Sequence, residues 1–587
     1  MRLQTANLIV TALLVASPAL LVSENARGGD QPADLPRLGT NLDEIVDWGT
    51  MLPFNDLFKT SRPWISGNSA TFQFDDGRPL DLDANGWVRS LLPDQVARTI
   101  MLIDDVTTRV GSGRYVVTYA GQGELDYSGE VAVLAREPGR DLVEVRSSAA
   151  GGLFMHIFAT NPADYIRDIR VVREAVAAGG SPATFADAFL ARLGSYRVLR
   201  FMDWGRTNLT ALERWDERPE PSDARWSLDT GVPLEVMIDL ANETCSEPWF
   251  NIPHRADDEY VRNAAQLIHE RLAPDLRVWV EYSNETWNGI FEQAAYVDAQ
   301  GLALGLSDDA FIAGRRFHSR RSVEIFRIFA QEFAGARQLQ RVMGGFVTVP
   351  FANQVTLEFE DAYLETDALA IAPYFGHEWG TDRVQETRQM TVAQLLAKLR
   401  GESMPSALAL CEENRVLADK FGVGLVAYEG GHHLNAPQLG AGDPVHAKFF
   451  AAARHAEMGA IYSDYLAAWR DIASSPKGGT FVNFTLCGAF SNFGCWSVLE
   501  FITQAPTPRE QALAGFVAGE SRPICTGTRA CPGDLDADGS IGASDLASLL
   551  VAWGSQASGS AADINGDGVV SGADLTALLV HWGPCAP

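Results

Sequence analysis

Strand and helix signals alternate along most of the chain, which predicts an α/β fold whose parallel sheet closes as an eight-stranded (β/α)₈ TIM barrel. Two further observations complete the expected architecture. Residues 71–169 interrupt the alternation with short β-rich runs separated by glycine turns, the texture of a β-sandwich inserted after the first barrel strand or packed on the barrel. Near the C-terminus two acidic loops, beginning at Asp534 and Asp563, each lead into an apolar helix. Loops of that kind predict a small helical calcium-binding module over 531–587.

The chain of 587 residues has room for two to four domains, and 46% hydrophobic with 21% charged residues is an ordinary globular composition. A formal charge of −28 argues against nucleic acid and anionic membrane surfaces as partners. Arg2, the apolar run Leu8 to Val22 and the small and polar residues to Ala26 have the layout of a secretory signal peptide. The expectation is therefore 1–26 as signal and a mature protein that is secreted, with no membrane segment. Seven cysteines in an exported chain permit disulfides. Cys487 with Cys495 and Cys531 with Cys585 are plausible pairs, and an odd count leaves at least one cysteine without a partner in the chain.

The barrel is expected over 35–70 and 170–505, with a linker at 506–530. Its first strand is Arg37–Leu42, followed by a segment rich in aromatic residues through Trp48, Phe54 and Trp64. The sandwich-like stretch offers Arg98–Ile103, Tyr115–Tyr119, Val131–Leu134, Leu142–Val145 and Phe154–Ala159 as strands. The barrel strands then follow at Tyr196–Trp204, Leu234–Ala241, Val278–Ser283, Arg341–Phe346, Ala368–Tyr374, Gly424–Glu429 and Phe481–Leu486, with amphipathic helices between them. No glycine fingerprint for a dinucleotide follows the early strands, which weakens an open doubly wound alternative.

This count gives two glutamates their weight. The fourth strand runs Trp279-Val280-Glu281-Tyr282-Ser283-Asn284-Glu285, and the seventh ends in Ala427-Tyr428-Glu429. Barrel active sites form at the C-terminal ends of strands, and paired carboxyl groups are the requirement for glycosidic bond cleavage. These positions resemble the retaining glycoside hydrolases of clan A, in which an Asn-Glu ends strand four and a Glu ends strand seven. The resemblance implies Glu285 as acid/base and Glu429 as nucleophile, with no catalytic cofactor. It also implies Asn284 against the sugar 2-hydroxyl, Arg200 and Tyr374 on the nucleophile, and Trp496 under the sugar. Asn242-Glu243-Thr244 repeats the Asn-Glu-Thr of 284–286 at the end of the segment read as strand three, so only ordinal position separates the two.

Trp249 and His254, after that third segment, are expected on the cleft wall. His254, His377, His432 and His433 match no standard zinc spacing, so no catalytic metal is expected. The sandwich is a candidate carbohydrate-binding domain or a structural one that shapes an end of the cleft.

In the C-terminal loops, Asp534, Asp536, Asp538 and Asp545, and then Asp563, Asn565, Asp567 and Asp574, occupy positions 1, 3, 5 and 12 with glycine at 6. Paired loop–helix repeats closing on Asp resemble type I dockerins. That resemblance implies structural calcium at those eight residues and a possible cohesin-type scaffold partner. The expected function is a secreted glycoside hydrolase acting on the β-linkages of a plant or algal polysaccharide. A non-catalytic carbohydrate-binding or scaffold-associated protein on a similar barrel is the alternative.

Overall fold

The computed structural model describes residues 37–517 apart from 104, 148–150, 180–182, 336–337 and 476. In the C-terminal module it describes 533, 535, 540–554, 562, 564, 569–580 and 582–584. The expected signal peptide, most of the expected linker, and Cys531 and Cys585 lie outside the described residues.

Eight parallel strands form a closed barrel. They are β1 (Leu38–Asn41), β2 (Val198–Arg200), β3 (Glu247–Ile252), β4 (Val278–Tyr282), β5 (Leu339–Gly344), β6 (Ala368–Ile371), β7 (Gly424–Ala427) and β8 (Phe481–Asn483). Closure is direct, with Leu38 of β1 paired to Phe481 of β8 and Gly39 to Val198 of β2. Side chains alternate across each strand. On β4, Val278 and Val280 face the helices in the large core, whereas Trp279 joins Val198, Trp249, Val342, Ala370 and Val426 in the barrel lumen. Register places Trp249 beside Trp279 and Asn251 beside Glu281, so the lumen carries a tryptophan layer below a polar one.

The third strand differs from the sequence expectation. Leu234–Thr244 is a helix that starts after Pro233, and β3 is the later segment Glu247–Ile252. A run of eight mostly apolar residues satisfies either period. Here Pro233 at the N-cap and the left-handed Cys245 at the C-cap (φ 55°) set the helix. Asn242-Glu243-Thr244 therefore ends a helix that feeds the N-terminal end of β3, the barrel end opposite the strand C-termini. Asn242 anchors this turn, donating to Arg271 O at 2.8 Å and accepting from Ala273 N at 2.9 Å.

Between β1 and β2 lie two four-stranded antiparallel sheets. One contains Ile65–Asn68, Gln95–Met101, Leu153–Thr160 and Gly123–Gly129. The other contains Arg167–Arg173, Gly113–Ala120, Arg140–Val145 and Val131–Glu137. Their facing residues, among them Met101, Val117, Val143, Met155 and Val171, form a core separate from the barrel's, which is the sandwich arrangement.

Two further expectations change. Pro508–Phe516, within the stretch expected as linker, is a helix capped by Thr507, and its Ala512, Leu513 and Phe516 join the barrel core. Cys487 and Cys495 are both buried free thiols; Cys495 donates to Leu434 O, and Cys487 lies 3.9 Å from Thr50 Oγ1. Cys245, not considered for pairing, is disulfide-bonded. Among the described residues no helix is long and apolar enough to cross a membrane.

Candidate active site

Arg200 closes β2 with its guanidinium fully buried in the barrel. A buried cation needs every donor matched, and here each partner comes from a strand end. Nη1 donates to Glu429 Oε1 at 2.9 Å and Asn41 Oδ1 at 3.1 Å. Nη2 donates to Glu281 Oε2 at 2.9 Å and Asn284 Oδ1 at 2.8 Å. The side chain lies over the Tyr428 ring, 4.9 Å from its centroid. One arginine thus ties together β1, β4 and β7.

Glu429 follows β7 and is 5% exposed. Besides Arg200 on one oxygen, it accepts from the Tyr374 hydroxyl on the other at 3.1 Å. Glu285 follows β4 on a strained turn, with Ser283 at φ 59° and Glu285 itself at φ 39°. The turn is pinned from behind, because the Arg315 guanidinium and the His318 ring, both on the helix Ala310–Phe333, bond Thr286. Glu285 accepts from Asn288 Nδ2 on Oε2 at 2.8 Å and from the Tyr428 hydroxyl on Oε1 at 3.0 Å. The two glutamates therefore share a wall, since Tyr428 bonds one and adjoins the other in sequence.

Burial raises the pKa of both carboxyl groups. For Glu285 the rise is opposed by the bonds from Asn288 and Tyr428 and by Arg200. For Glu429 burial likewise raises it, with Arg200 and Tyr374 opposing and Glu285 and Asp203 adding to the rise. Two carboxyl groups in one buried site do not readily ionise together. Arg200 bonds Glu429 and not Glu285, so its charge opposes the rise more directly at Glu429 than at Glu285.

The remaining expected residues divide. Asn284 spends its oxygen on Arg200 and one amide hydrogen on Asn208 Oδ1 at 3.0 Å, leaving a second amide hydrogen for a ligand. Trp496, in the loop after β8, is half-buried, edge-on to Phe484 (5.9 Å) and His433 (5.6 Å), and its indole N–H has no protein partner. Trp249 is not on a cleft wall. It is a fully buried residue of β3, stacked on Trp279 at 4.9 Å with its N–H on Glu281 Oε2 at 2.9 Å. His254 is 3% exposed and packs edge-on to Tyr296, so it too supports the wall from behind.

Residues not singled out from sequence complete the site. Glu281 and Asn251 form its floor, Tyr428 bonds the acid/base candidate, and Trp287 stacks on Phe346 at 3.9 Å, both rings half-buried. Asp43 and Asp203, just past β1 and β2, are held up by burial to about 7 and about 8. Strand alternation from Trp279 was the one signal that could have turned Glu281 inward; nothing local marks the others. His432 and His433 follow Glu429, and His433 meets His377 with Nδ1 atoms 3.2 Å apart. Among the described residues no group of three or more His, Cys, Asp or Glu is arranged to hold a metal.

Of the eight residues expected to hold calcium, Asp534, Asp536, Asp538, Asp563, Asn565 and Asp567 lie outside the described residues. Asp545 and Asp574 are fully buried at the start of the helices Ala543–Val551 and Gly572–Val580. Each accepts a loop N–H, from Gly542 and Ser571 respectively, at 2.7 Å.

The family model described as Dockerin type I domain matches residues 532–580. No curated protein matches the chain. Solved structures of similar fold include the catalytic core of xylanase A, at 10% identity and TM-score 0.35, covering 57% of this chain and 93% of that chain. Native xylanase10C from Cellvibrio japonicus matches at 12% identity and TM-score 0.34, covering 80% and 99%. A structure of fungal beta-1,4-galactanases matches at 12% and 0.31, covering 56% and 89%. Scores this low carry no argument about the reaction, which rests on the residues alone.

Proposed function

We propose that the protein is a secreted retaining glycoside hydrolase that cleaves a plant or algal polysaccharide, with β-linked glycans as its substrate class. The observation that carries this reading is the placement of Glu285 and Glu429 past β4 and β7 in one hydrogen-bonded cluster, with Arg200 on Glu429 and not on Glu285. That asymmetry supplies the two different carboxyl groups a double displacement requires.

In the first step the Glu429 carboxylate attacks the anomeric carbon while Glu285 passes its proton to the departing glycosidic oxygen. In the second, Glu285, now ionised, takes a proton from water, and the hydroxide equivalent displaces Glu429. Two inversions give net retention. Tyr374 and Arg200 hold the nucleophile's two oxygens until one is needed for the bond. The free amide hydrogen of Asn284 suits the sugar 2-hydroxyl, and the half-buried ring of Trp496 suits a sugar beside it.

The experiment is product release from a panel of soluble and insoluble polysaccharides, with anomeric configuration followed by NMR. Retention is expected. Inverted product, or binding without release of reducing sugar from any of them, overturns the reading.

The C-terminal module would hold calcium through its eight loop residues. Asp545 and Asp574 fit that role, being buried acids at position 12 of their loops. Calcium would supply the countercharge that folds so small a module. Chelation with EDTA is expected to remove helical signal from the full chain while leaving hydrolysis of soluble substrate in place, and added calcium to restore it. Unchanged circular dichroism would sink the assignment. A cohesin-type scaffold is the proposed partner of this module.

A further inference from the structure

Glu281 is 1% exposed and has no place in the reaction as written, yet four donors converge on its Oε2. They are Arg200 Nη2 at 2.9 Å and Nε at 3.3 Å, Trp249 Nε1 at 2.9 Å and Asn251 Nδ2 at 2.8 Å. So many donors on one oxygen are the surroundings of a carboxylate. Arg200 therefore stands between two anions, Glu281 below it and Glu429 above, each at 2.9 Å.

We propose that Glu281 is a positioning residue of this active site, which by holding Arg200 from below divides the arginine's charge and so sets how strongly Glu429 is kept ionised. The inference rests on the hydrolase reading and deepens it.

Electrostatics gives the sign. Were Arg200 to face Glu429 alone, a full buried cation would favour its carboxylate strongly, and the acid/base would also lose its proton more readily. The groups around Arg200 and the pair are Asn41 at the end of β1 and Asp43 past it, Asp203 past β2, Asn284 and Glu285 past β4, and Tyr428 and Glu429 past β7. Tyr374 faces them from the segment after β6. Arg200 is the one cation bonded to this set among the described residues, and Glu281 is the anion that offsets it. Glu281 also acts on Glu285 directly, helping to hold its pKa up. Removing the Glu281 charge thus shifts both ionisations toward acid. A role confined to packing would lower the rate without moving either.

The test is the pH profile of kcat/KM for an aryl glycoside in Glu281→Gln, Glu281→Met and Glu281→Asp, with folding checked by thermal unfolding. Both neutral variants are expected to move the acid and alkaline limbs down by about one pH unit or more, and Glu281→Asp to keep the limbs while losing rate. Limbs that stay in place in the neutral variants, or shift equally in Glu281→Asp, overturn the proposal. So does failure of both neutral variants to fold, which would make Glu281 a stability element. The parent chain separates the two readings: absence of hydrolysis there defeats the reaction itself, whereas hydrolysis with unmoved limbs in the variants defeats only the role of Glu281.

Discussion

Glu429→Gln is expected to reduce hydrolysis of every substrate to background, aryl glycosides included, because no leaving group replaces a missing nucleophile. The glutamine keeps the volume, and its oxygen can still accept from Arg200 while its NH2 donates to the Tyr374 hydroxyl, so the barrel should remain folded while the chemistry stops. Chemical rescue sharpens the expectation. In Glu429→Ala, azide can enter the vacated space and attack the anomeric carbon once, giving a glycosyl azide of inverted configuration. A 2-fluoro glycoside inactivator should label the parent protein on Glu429 alone. Label on another residue, or substantial turnover by Glu429→Gln, would refute the assignment.

The second large effect is at Glu285. Glu285→Gln is expected to slow polysaccharide hydrolysis roughly 10²–10⁴-fold, the scale of a lost general acid. The loss should be smaller for aryl glycosides whose leaving group departs without a proton, and the alkaline limb of the pH profile should vanish. A stability effect of opposite sign should accompany it. Burial raises Glu285 above its ordinary 4.5, so between that value and its folded-state pKa the native protein binds more protons than the unfolded chain. Stability then falls as pH rises through this window. The glutamine never has to ionise. Its unfolding temperature should exceed the parent's by about 2 °C near neutrality, and the gain should disappear below the ordinary carboxyl range. Equal loss on all substrates with no stability gain would argue that Glu285 does not carry the proton.

These two effects differ because one guanidinium sits on one side of the pair. That asymmetry, together with the Tyr428 bond to Glu285, belongs to the assembled barrel. Arg200 and Glu429 are 229 residues apart in sequence, and Tyr428 and Glu285 are 143. No local pattern reports such a distance.

By itself the sequence determined the barrel, because a parallel sheet covered by helices leaves alternating buried strands and amphipathic helices, and that alternation survives along the chain. It determined the C-terminal repeat as well, since acidic residues and glycine at fixed offsets form a local pattern, in the stretch that the dockerin model matches. It also placed Glu285 and Glu429, because strand ends can be counted. The identity of the third strand was decided only in three dimensions. Leu234–Thr244 and Glu247–Ile252 are both short and mostly apolar, and the packing of the first against the second resolves them. The outcome moved Trp249 from the cleft wall to the barrel lumen and carried Glu243 to the opposite end of the barrel. The same packing turned Glu281 inward beneath Arg200. A charge buried among eight strands has its meaning set by whichever groups the other seven bring to it.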